Sequence, residues 1–301
     1  MNKVYAELTS CRICPHNCGI DRYQTTGFCQ ATAEVKVNLA QLHFGEEPVL
    51  SGTGGSGTIF FSHCNLRCVF CQNHTISHLG WGKIASENEI IDMMLKLQDK
   101  GAHNINLVTP THYSVQLAAI LHKAREEGLR LPIVWNSNAY EKVETLKAME
   151  GLIDIYLPDL KYAGNEYSKL YSNAEDYPAT ARKAIIEMFR QAGNLFCDAD
   201  NIAQKGLIVR LLVMPNGVAG VSESLKWIDD NLGNEVFISL MAQYYPAWQA
   251  DKFPQINRGI TDREYQEVLD TMEKLDFNNG FMQELSCSDE WTPDFKNTEG
   301  K

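Results

Sequence analysis

The sequence predicts an α/β protein built on a parallel sheet, with a cysteine-rich extension ahead of it. Two observations carry this prediction. From residue 58 onward, six short apolar segments alternate with helical segments, as they do where helices cross over a parallel sheet. Before that point the chain is rich in cysteine, glycine and turn-forming residues and shows little helical periodicity. Periodicity alone leaves open whether the sheet curls into an open barrel or stays flat and doubly wound.

Each element has its own signal. The six predicted strands are 58–63, 104–108, 131–135, 153–157, 207–213 and 236–240. Ser86 and Glu89 form a capping box before an amphipathic helix. Four further helices are predicted at 114–127, 142–149, 178–191 and 222–231, and none is assigned to the polar stretch 164–177. The predicted organisation is an extension over 1–57, the strand–helix unit over 58–260, and a C-terminal helix with an edge or lid segment over 261–301.

Charge and cysteine usage restrict the class of protein. The formal net charge of −11 argues against a nucleic-acid partner, because phosphate binding needs a basic surface. No signal peptide and no apolar run of roughly 18 residues is visible, so we expect a cytoplasmic protein without a membrane partner. Disulfides are rare in the cytosol, yet seven of the nine cysteines lie between Cys11 and Cys71. That clustering indicates metal binding; Cys197 and Cys287 stand alone and are expected to be inert.

The strongest motif is Cys64-Asn-Leu-Arg-Cys68-Val-Phe-Cys71, which follows the first predicted strand directly. Three thiolates on one loop hold three irons of a 4Fe–4S cluster and leave the fourth iron open to a chelating substrate. The alternative is a zinc site that takes its fourth ligand from His63 or His74.

The spacing of these cysteines, with Phe70 before the last, is that of the radical S-adenosylmethionine (SAM) superfamily. The longer run Phe44-Gly-Glu-Glu-Pro48, followed by 57–62 and 64–73, resembles the uncharacterised family described as pyruvate formate-lyase-activating-enzyme-like. The similarity extends from Cys11 to about Glu284, with one departure: His63 stands where the resemblance predicts glycine.

The resemblance implies a partial (β/α)6 barrel and reductive cleavage of SAM to methionine and a 5′-deoxyadenosyl radical, which takes hydrogen from the substrate. It also implies an electron donor such as flavodoxin or ferredoxin. The substrate is left open between a small molecule and a protein, including the glycine loop of a glycyl-radical enzyme that this chain would activate. A different class of function is a non-enzymatic metalloprotein, either a redox carrier or a zinc-stabilised scaffold.

Polar residues at the ends of the predicted strands are the candidates for contacting SAM. The superfamily usually has a Gly-Gly-Glu-like motif after the second strand, and this chain has Thr109-Pro-Thr111-His112 instead. Asp159-Leu-Lys161 is similar to the Asp-x-Lys of glycyl-radical-activating enzymes, and residues two apart in an extended segment point the same way. The predicted SAM contacts are Thr109, Thr111, Asn136, Asn138, Asp159, Lys161 and Gln243.

Each of these residues also has a purely structural interpretation. Asp159 and Lys161 would be a surface ion pair, and the two asparagines would cap a loop. Arg210 would be a structural charge of the barrel, and His112 a solvated loop histidine.

The extension carries a second cysteine set, Cys11-x2-Cys14-x3-Cys18-x10-Cys29. Its spacing differs from that of ferredoxins and predicts a closed four-thiolate site for zinc or iron, in which His16 could replace one sulfur. The alternative is a set of unligated thiols, or disulfides formed in air.

Overall fold

The computed structural model describes residues 5–285 and 293–295. Over this part of the chain ten strands form the order β10-β9-β8-β6-β5-β4-β2-β1-β3, with β7 paired to β8. In chain order they are β1 (Lys36–His43), β2 (Ser56–Phe61), β3 (Lys83–Ile84), β4 (Ile105–Val108), β5 (Ile133–Ser137), β6 (Ile155–Pro158), β7 (Phe196–Cys197), β8 (Ala203–Leu212), β9 (Phe237–Met241) and β10 (Gly280–Met282).

Helices connect these strands, and the longer ones cover the outside of the sheet. They are α1 (Pro48–Ser51), α2 (His74–Ser77), α3 (Glu87–Asp99), α4 (Ser114–Glu126), α5 (Val143–Ala148), α6 (Asn165–Ser172), α7 (Tyr177–Ala192), α8 (Val221–Leu232) and α9 (Asp262–Lys274). The capping box expected at Ser86 is present, since its side chain accepts from the Glu89 amide and the Glu89 carboxylate bonds back to the Ser86 amide.

The parallel sheet expected from the sequence is confirmed. Strands β2, β4, β5, β6, β8 and β9 pair in parallel, and they correspond one to one to the six predicted strands. Alternate residues face opposite sides: Ile105 and Leu107 of β4 join the large outer core under the helices. Val134, Ile155 and Ile208, from three adjacent strands, form a separate inner apolar cluster, as expected for a partial barrel.

The segment between β1 and β2 enters the barrel. Val49 and Leu50 of α1 are buried in the inner cluster with Val134 and Leu157. Helix α1 therefore plugs the interior of the sheet, and Glu46 and Glu47, which precede it, face the space above the plug.

Two elements depart from the sequence prediction. Residues 36–43, assigned to the extension, form β1, which pairs antiparallel with β2. Most β1 side chains are half-buried, so the strand lacks a clear apolar alternation. The polar stretch around α6 is helical because Ser168, Tyr171 and Ser172 are buried against the barrel rather than exposed.

The C-terminal part adds α9 and the edge strand β10, which pairs parallel with β9 and corresponds to the predicted edge segment. Residues 286–292 and 296–301 of that predicted segment, with Cys287, lie outside the described residues. No helix in the described part of the chain is long and apolar enough to cross a lipid bilayer.

Candidate active site

The loop carrying Cys64, Cys68 and Cys71 lies at the carboxyl end of β2 and lines a cavity of about 860 Å³. Helix α6 supports the loop from below: the Arg67 amide donates to the Ser172 carbonyl (3.2 Å) and the Val69 amide to the Tyr171 carbonyl (2.8 Å). The helix that the sequence did not reveal thus fixes the shape of the cysteine loop.

Each of the three sulfurs has a polar neighbour. Asn138 Nδ2 lies 3.4 Å from Cys64 Sγ, and Ser172 Oγ donates to Cys68 Sγ at 3.0 Å. Ser77 Oγ lies 3.1 Å from Cys71 Sγ. Hydrogen bonds to sulfur stabilise thiolates and tune the potential of an iron–sulfur cluster.

The three thiols fit a multi-iron cluster better than a single ion. Within the described residues, no three His, Cys, Asp or Glu side chains are placed to hold one metal ion. A 4Fe–4S cluster has no such requirement, because each cysteine binds a different iron. Burial raises the pKa of Cys64 to about 12 and that of Cys71 to about 11, so these thiols need bound cations to become thiolates.

The zinc alternative for this loop finds no support in the placement of its histidines. The His74 ring stacks on Trp248 with ring centroids 4.6 Å apart. Neither His74 nor His63 is among the residues that line the cavity of the three cysteines.

The structure brings six of the seven predicted SAM contacts into the cavity of the three cysteines. They are Thr109, Asn136, Asn138, Asp159, Lys161 and Gln243, each close to the carboxyl end of its strand. Thr111 is the exception, because its hydroxyl donates to the buried carboxylate of Glu141 at 2.9 Å. Glu141 also accepts from Trp135 Nε1 and Ser137 Oγ, so it joins the ends of β4 and β5.

Asp159 is the centre of a buried ionic network. Its two oxygens lie 2.7 Å from Lys161 Nζ and 2.7 Å from Arg210 Nε, and Arg210 also donates to Asn136 Oδ1 at 2.6 Å. Burial acts to raise the pKa of Asp159, but Arg210 and Lys161 outweigh it and hold that pKa below its ordinary value. The interpretation of Asp159 and Lys161 as a surface ion pair is therefore wrong; the pair faces the cavity.

Comparisons with known proteins agree with this geometry. The family model of the radical SAM superfamily matches residues 58–199, which span the cysteine loop and the first four barrel strands. An uncharacterized protein of Methanocaldococcus jannaschii, MJ0674, is 32% identical over 278 residues, covering 89% of this chain and 76% of that protein. The chain belongs to the radical SAM superfamily.

Solved structures of the superfamily share the fold at low sequence identity. Streptococcus suis SuiB bound to its precursor peptide SuiA matches with a TM-score of 0.52 and 15% identity, over 73% of this chain and 46% of SuiB. The FeFe-hydrogenase maturase HydG from Carboxydothermus hydrogenoformans matches with a TM-score of 0.51 and 12% identity, over 78% of this chain and 61% of HydG. The chain thus spans about half to three fifths of these solved proteins.

His63, where the superfamily resemblance predicts glycine, has a left-handed backbone with φ +73°. That conformation favours glycine, which explains the expectation. The imidazole lies over Gly80, where an added Cβ would come within 2.6 Å of the ring carbon Cε1. A missing side chain at residue 80 therefore makes room for the histidine.

The second cysteine set is brought together as well. Cys11, Cys14, Cys18 and Cys29 line one cavity of about 10 Å³, the size of a single water-sized sphere. All four are free thiols, and three of them are buried. In this arrangement the four thiols are not placed to coordinate a single metal ion, since no such site is formed among the described residues.

His112, which the sequence left as a candidate loop histidine, is buried and lines this small cavity. Its Nε2 lies 2.9 Å from the Ser62 carbonyl, and its Nδ1 has no hydrogen-bond partner in the described structure. The interpretation of His112 as a solvated loop residue is therefore wrong. His16, the ligand that the sequence suggested, is bonded instead to the Asn65 carbonyl at 2.8 Å.

The extension contacts the barrel cysteine loop directly. The His16 ring stacks on Phe28 at 3.7 Å and reaches Asn65, the neighbour of Cys64. Arg67, inside the loop, donates to the Phe28 carbonyl at 2.9 Å and to the Ser77 carbonyl at 3.2 Å. The two cysteine sets are therefore connected through one layer of side chains.

Proposed function

We propose that this chain is a radical SAM enzyme that binds a 4Fe–4S cluster through Cys64, Cys68 and Cys71, and SAM in the adjoining cavity. When bound, these two groups supply reductive cleavage of SAM and a 5′-deoxyadenosyl radical that takes hydrogen from a substrate. The observation that carries the proposal is a three-thiol loop opening onto a cavity of about 860 Å³ walled by polar strand ends. The size suits a small-molecule site.

The chain's own residues would position SAM. Asp159 and Lys161 form an ion pair that suits a zwitterionic ligand, and Arg210 fixes the orientation of the Asp159 carboxylate. The Tyr177 hydroxyl lies 2.9 Å from the Asn138 carbonyl and 2.9 Å from the Lys161 amide, so it ties two strand ends together. Asn136, Asn138, Thr109 and Gln243 would provide further hydrogen bonds.

The test is a SAM-cleavage assay on anaerobically reconstituted protein. With the cluster reduced by dithionite, we expect 5′-deoxyadenosine and methionine in equal amounts. Absence of both products from protein with an intact, reduced cluster would overturn the proposal and favour a redox carrier.

A narrower proposal is that the chain activates a glycyl-radical enzyme. Its support is the Asp159-Leu-Lys161 element alone. Its test is transfer of deuterium from a glycine-labelled peptide into 5′-deoxyadenosine. Label transfer from a small molecule but from no glycine peptide would contradict this version and leave SAM cleavage untouched.

We further propose that Cys11, Cys14, Cys18 and Cys29 bind a metal ion of their own. The support is convergence of four free thiols on one small cavity, together with the unpartnered Nδ1 of His112 at its wall. Small shifts of these side chains would be needed to close a tetrahedral zinc site. A cavity of about 10 Å³ favours a single ion over a second cluster.

A further inference from the structure

The run Phe44–Pro48 has no role in the binding of SAM proposed above, yet it lies inside the barrel. Glu46 and Glu47 precede the plug helix α1 and line the floor of the large cavity. Glu47 is 5% exposed, and its Oε2 atom has no hydrogen-bond partner in the described structure.

The charges around this floor do not balance. Asp159 is paired with both Lys161 and Arg210, each at 2.7 Å. Glu46 forms an ion pair with Arg210 at 3.6 Å. Within the described residues Glu47 forms no ion pair that short, although its charge also acts on Arg210. Three carboxylates thus face two cations, and the uncompensated negative charge lies on the glutamate pair.

An unpaired charge in such a place is costly, so it calls for a proton or a cation. Burial raises the pKa of Glu46 to about 7, with Glu47 and Asp159 adding to the rise and Arg210 opposing it. Once Glu46 ionises above about pH 7, the three carboxylates carry one charge more than the two cations balance, and Oε2 of Glu47 has no hydrogen-bond partner in the described structure.

The walls above the floor are apolar on one side. Phe60, Leu212 and Met241, close to the carboxyl ends of β2, β8 and β9, line the same cavity. Apolar walls leading down to a carboxylate pair complement an aliphatic chain that ends in a positive group.

We propose that Glu46 and Glu47 bind the primary ammonium group of an alkylamine-bearing substrate, whose aliphatic chain lies along Phe60, Leu212 and Met241. The inference rests on the proposed function, since it assigns a substrate class to the same cavity. Burying one cation against this pair would remove the charge imbalance at the floor.

The test is calorimetric titration of anaerobically reconstituted protein, saturated with SAM, with n-pentylamine and with the uncharged n-pentanol. At pH 8 we expect the amine to bind at least about tenfold more tightly than the alcohol. Glu47→Gln should remove this preference. Glu284→Gln, which alters a carboxylate at the exposed rim of the same cavity, should leave it intact.

Several results would overturn the inference. They are equal binding of amine and alcohol by the native protein, an unchanged amine preference in Glu47→Gln, or equal losses in both variants. A loss of SAM affinity in Glu47→Gln would mean that the glutamates bind SAM itself. The comparison of the two probes on native protein decides the matter if the variant does not fold.

The same preparations separate this inference from the proposed function. Amine binding that depends on Glu47 in protein unable to cleave SAM would sustain the inference and refute the enzymatic proposal. SAM cleavage by protein that shows no preference for the amine would sustain the proposed function and refute the inference.

Discussion

The barrel cysteine loop and the N-terminal cysteine set differ chiefly in the space around them. Cys64, Cys68 and Cys71 open onto about 860 Å³ lined by charged and polar strand ends, whereas the four N-terminal thiols surround about 10 Å³. Three ligands beside a large cavity leave room for a reacting molecule; four ligands around a small one do not. The number of cysteines in each set predicts an open and a closed site, and the surrounding volumes differ in the same direction.

The largest expected effect concerns the barrel cysteine loop. Replacing Cys64, Cys68 and Cys71 together with alanine should abolish the 4Fe–4S cluster and all SAM cleavage, because no other described cysteine lines that cavity. Iron and sulfide analysis with the deoxyadenosine assay measures both. Cys197→Ala, at an isolated cysteine of β7, is the matched control and should retain both properties. Full cluster content in the triple variant would place the cluster elsewhere.

The next prediction concerns the N-terminal cysteine set. Replacing Cys14 and Cys18 with serine should release about one zinc or iron and lower Tm by on the order of 10 °C, since a structural metal contributes several kcal/mol to folding. Cluster content and SAM binding at the barrel should persist. Metal analysis and thermal melts provide the measurement. An unchanged Tm with no metal in native protein would reduce the set to unligated thiols.

A smaller effect is expected at the ionic network that distinguishes the large cavity. Asp159→Asn and Lys161→Met should each weaken SAM binding or slow its cleavage by about tenfold or more. The first leaves Lys161 without its ion-pair partner, and the second leaves Asp159 with Arg210 alone. Cluster content should stay constant. Asp230→Asn, which disrupts the exposed Lys226–Asp230 pair on α8, is the control. Native SAM affinity and turnover in both cavity variants would refute the assignment.

The smallest effect concerns pH and the floor of the large cavity. Burial raises the pKa of Glu46 from 4.5 to about 7. The folded state therefore holds this proton more tightly, and the stability it contributes is present below about pH 4.5 and is lost as pH rises through 7. Glu46→Gln should not show this loss. Its unfolding free energy relative to native protein should therefore rise between pH 5 and 8, by at most about 3 kcal/mol, and thermal melts should show this as a rise in relative Tm. A pH-independent difference would contradict the shifted pKa.

Much of the fold could be predicted from the sequence, because buried parallel strands such as β4 are short and apolar on one face, and helix α3 before it begins with a capping box. Strand β1 and helix α6 could not, since their partly exposed or polar residues carry no clear period. In the site, the shared location of six of the seven strand-end residues could be predicted, because parallel strands end at one edge; their contact with SAM stays a prediction. Glu46 and Glu47 were not predicted as site residues. They reach the cavity from a loop whose path into the barrel depends on tertiary packing.

The contact between His63 and Gly80 makes the two positions unequal in the substitutions they tolerate. Gly80 has its own left-handed backbone, with φ +70°, so glycine is favoured there whatever residue 63 is. A histidine at 63, by contrast, costs roughly 1 kcal/mol or more in backbone energy, and its ring occupies the space that a Cβ at residue 80 would need. Glycine at 63 would relieve that cost without requiring a change at 80. A side chain at 80 would meet both its own left-handed backbone and the imidazole of His63.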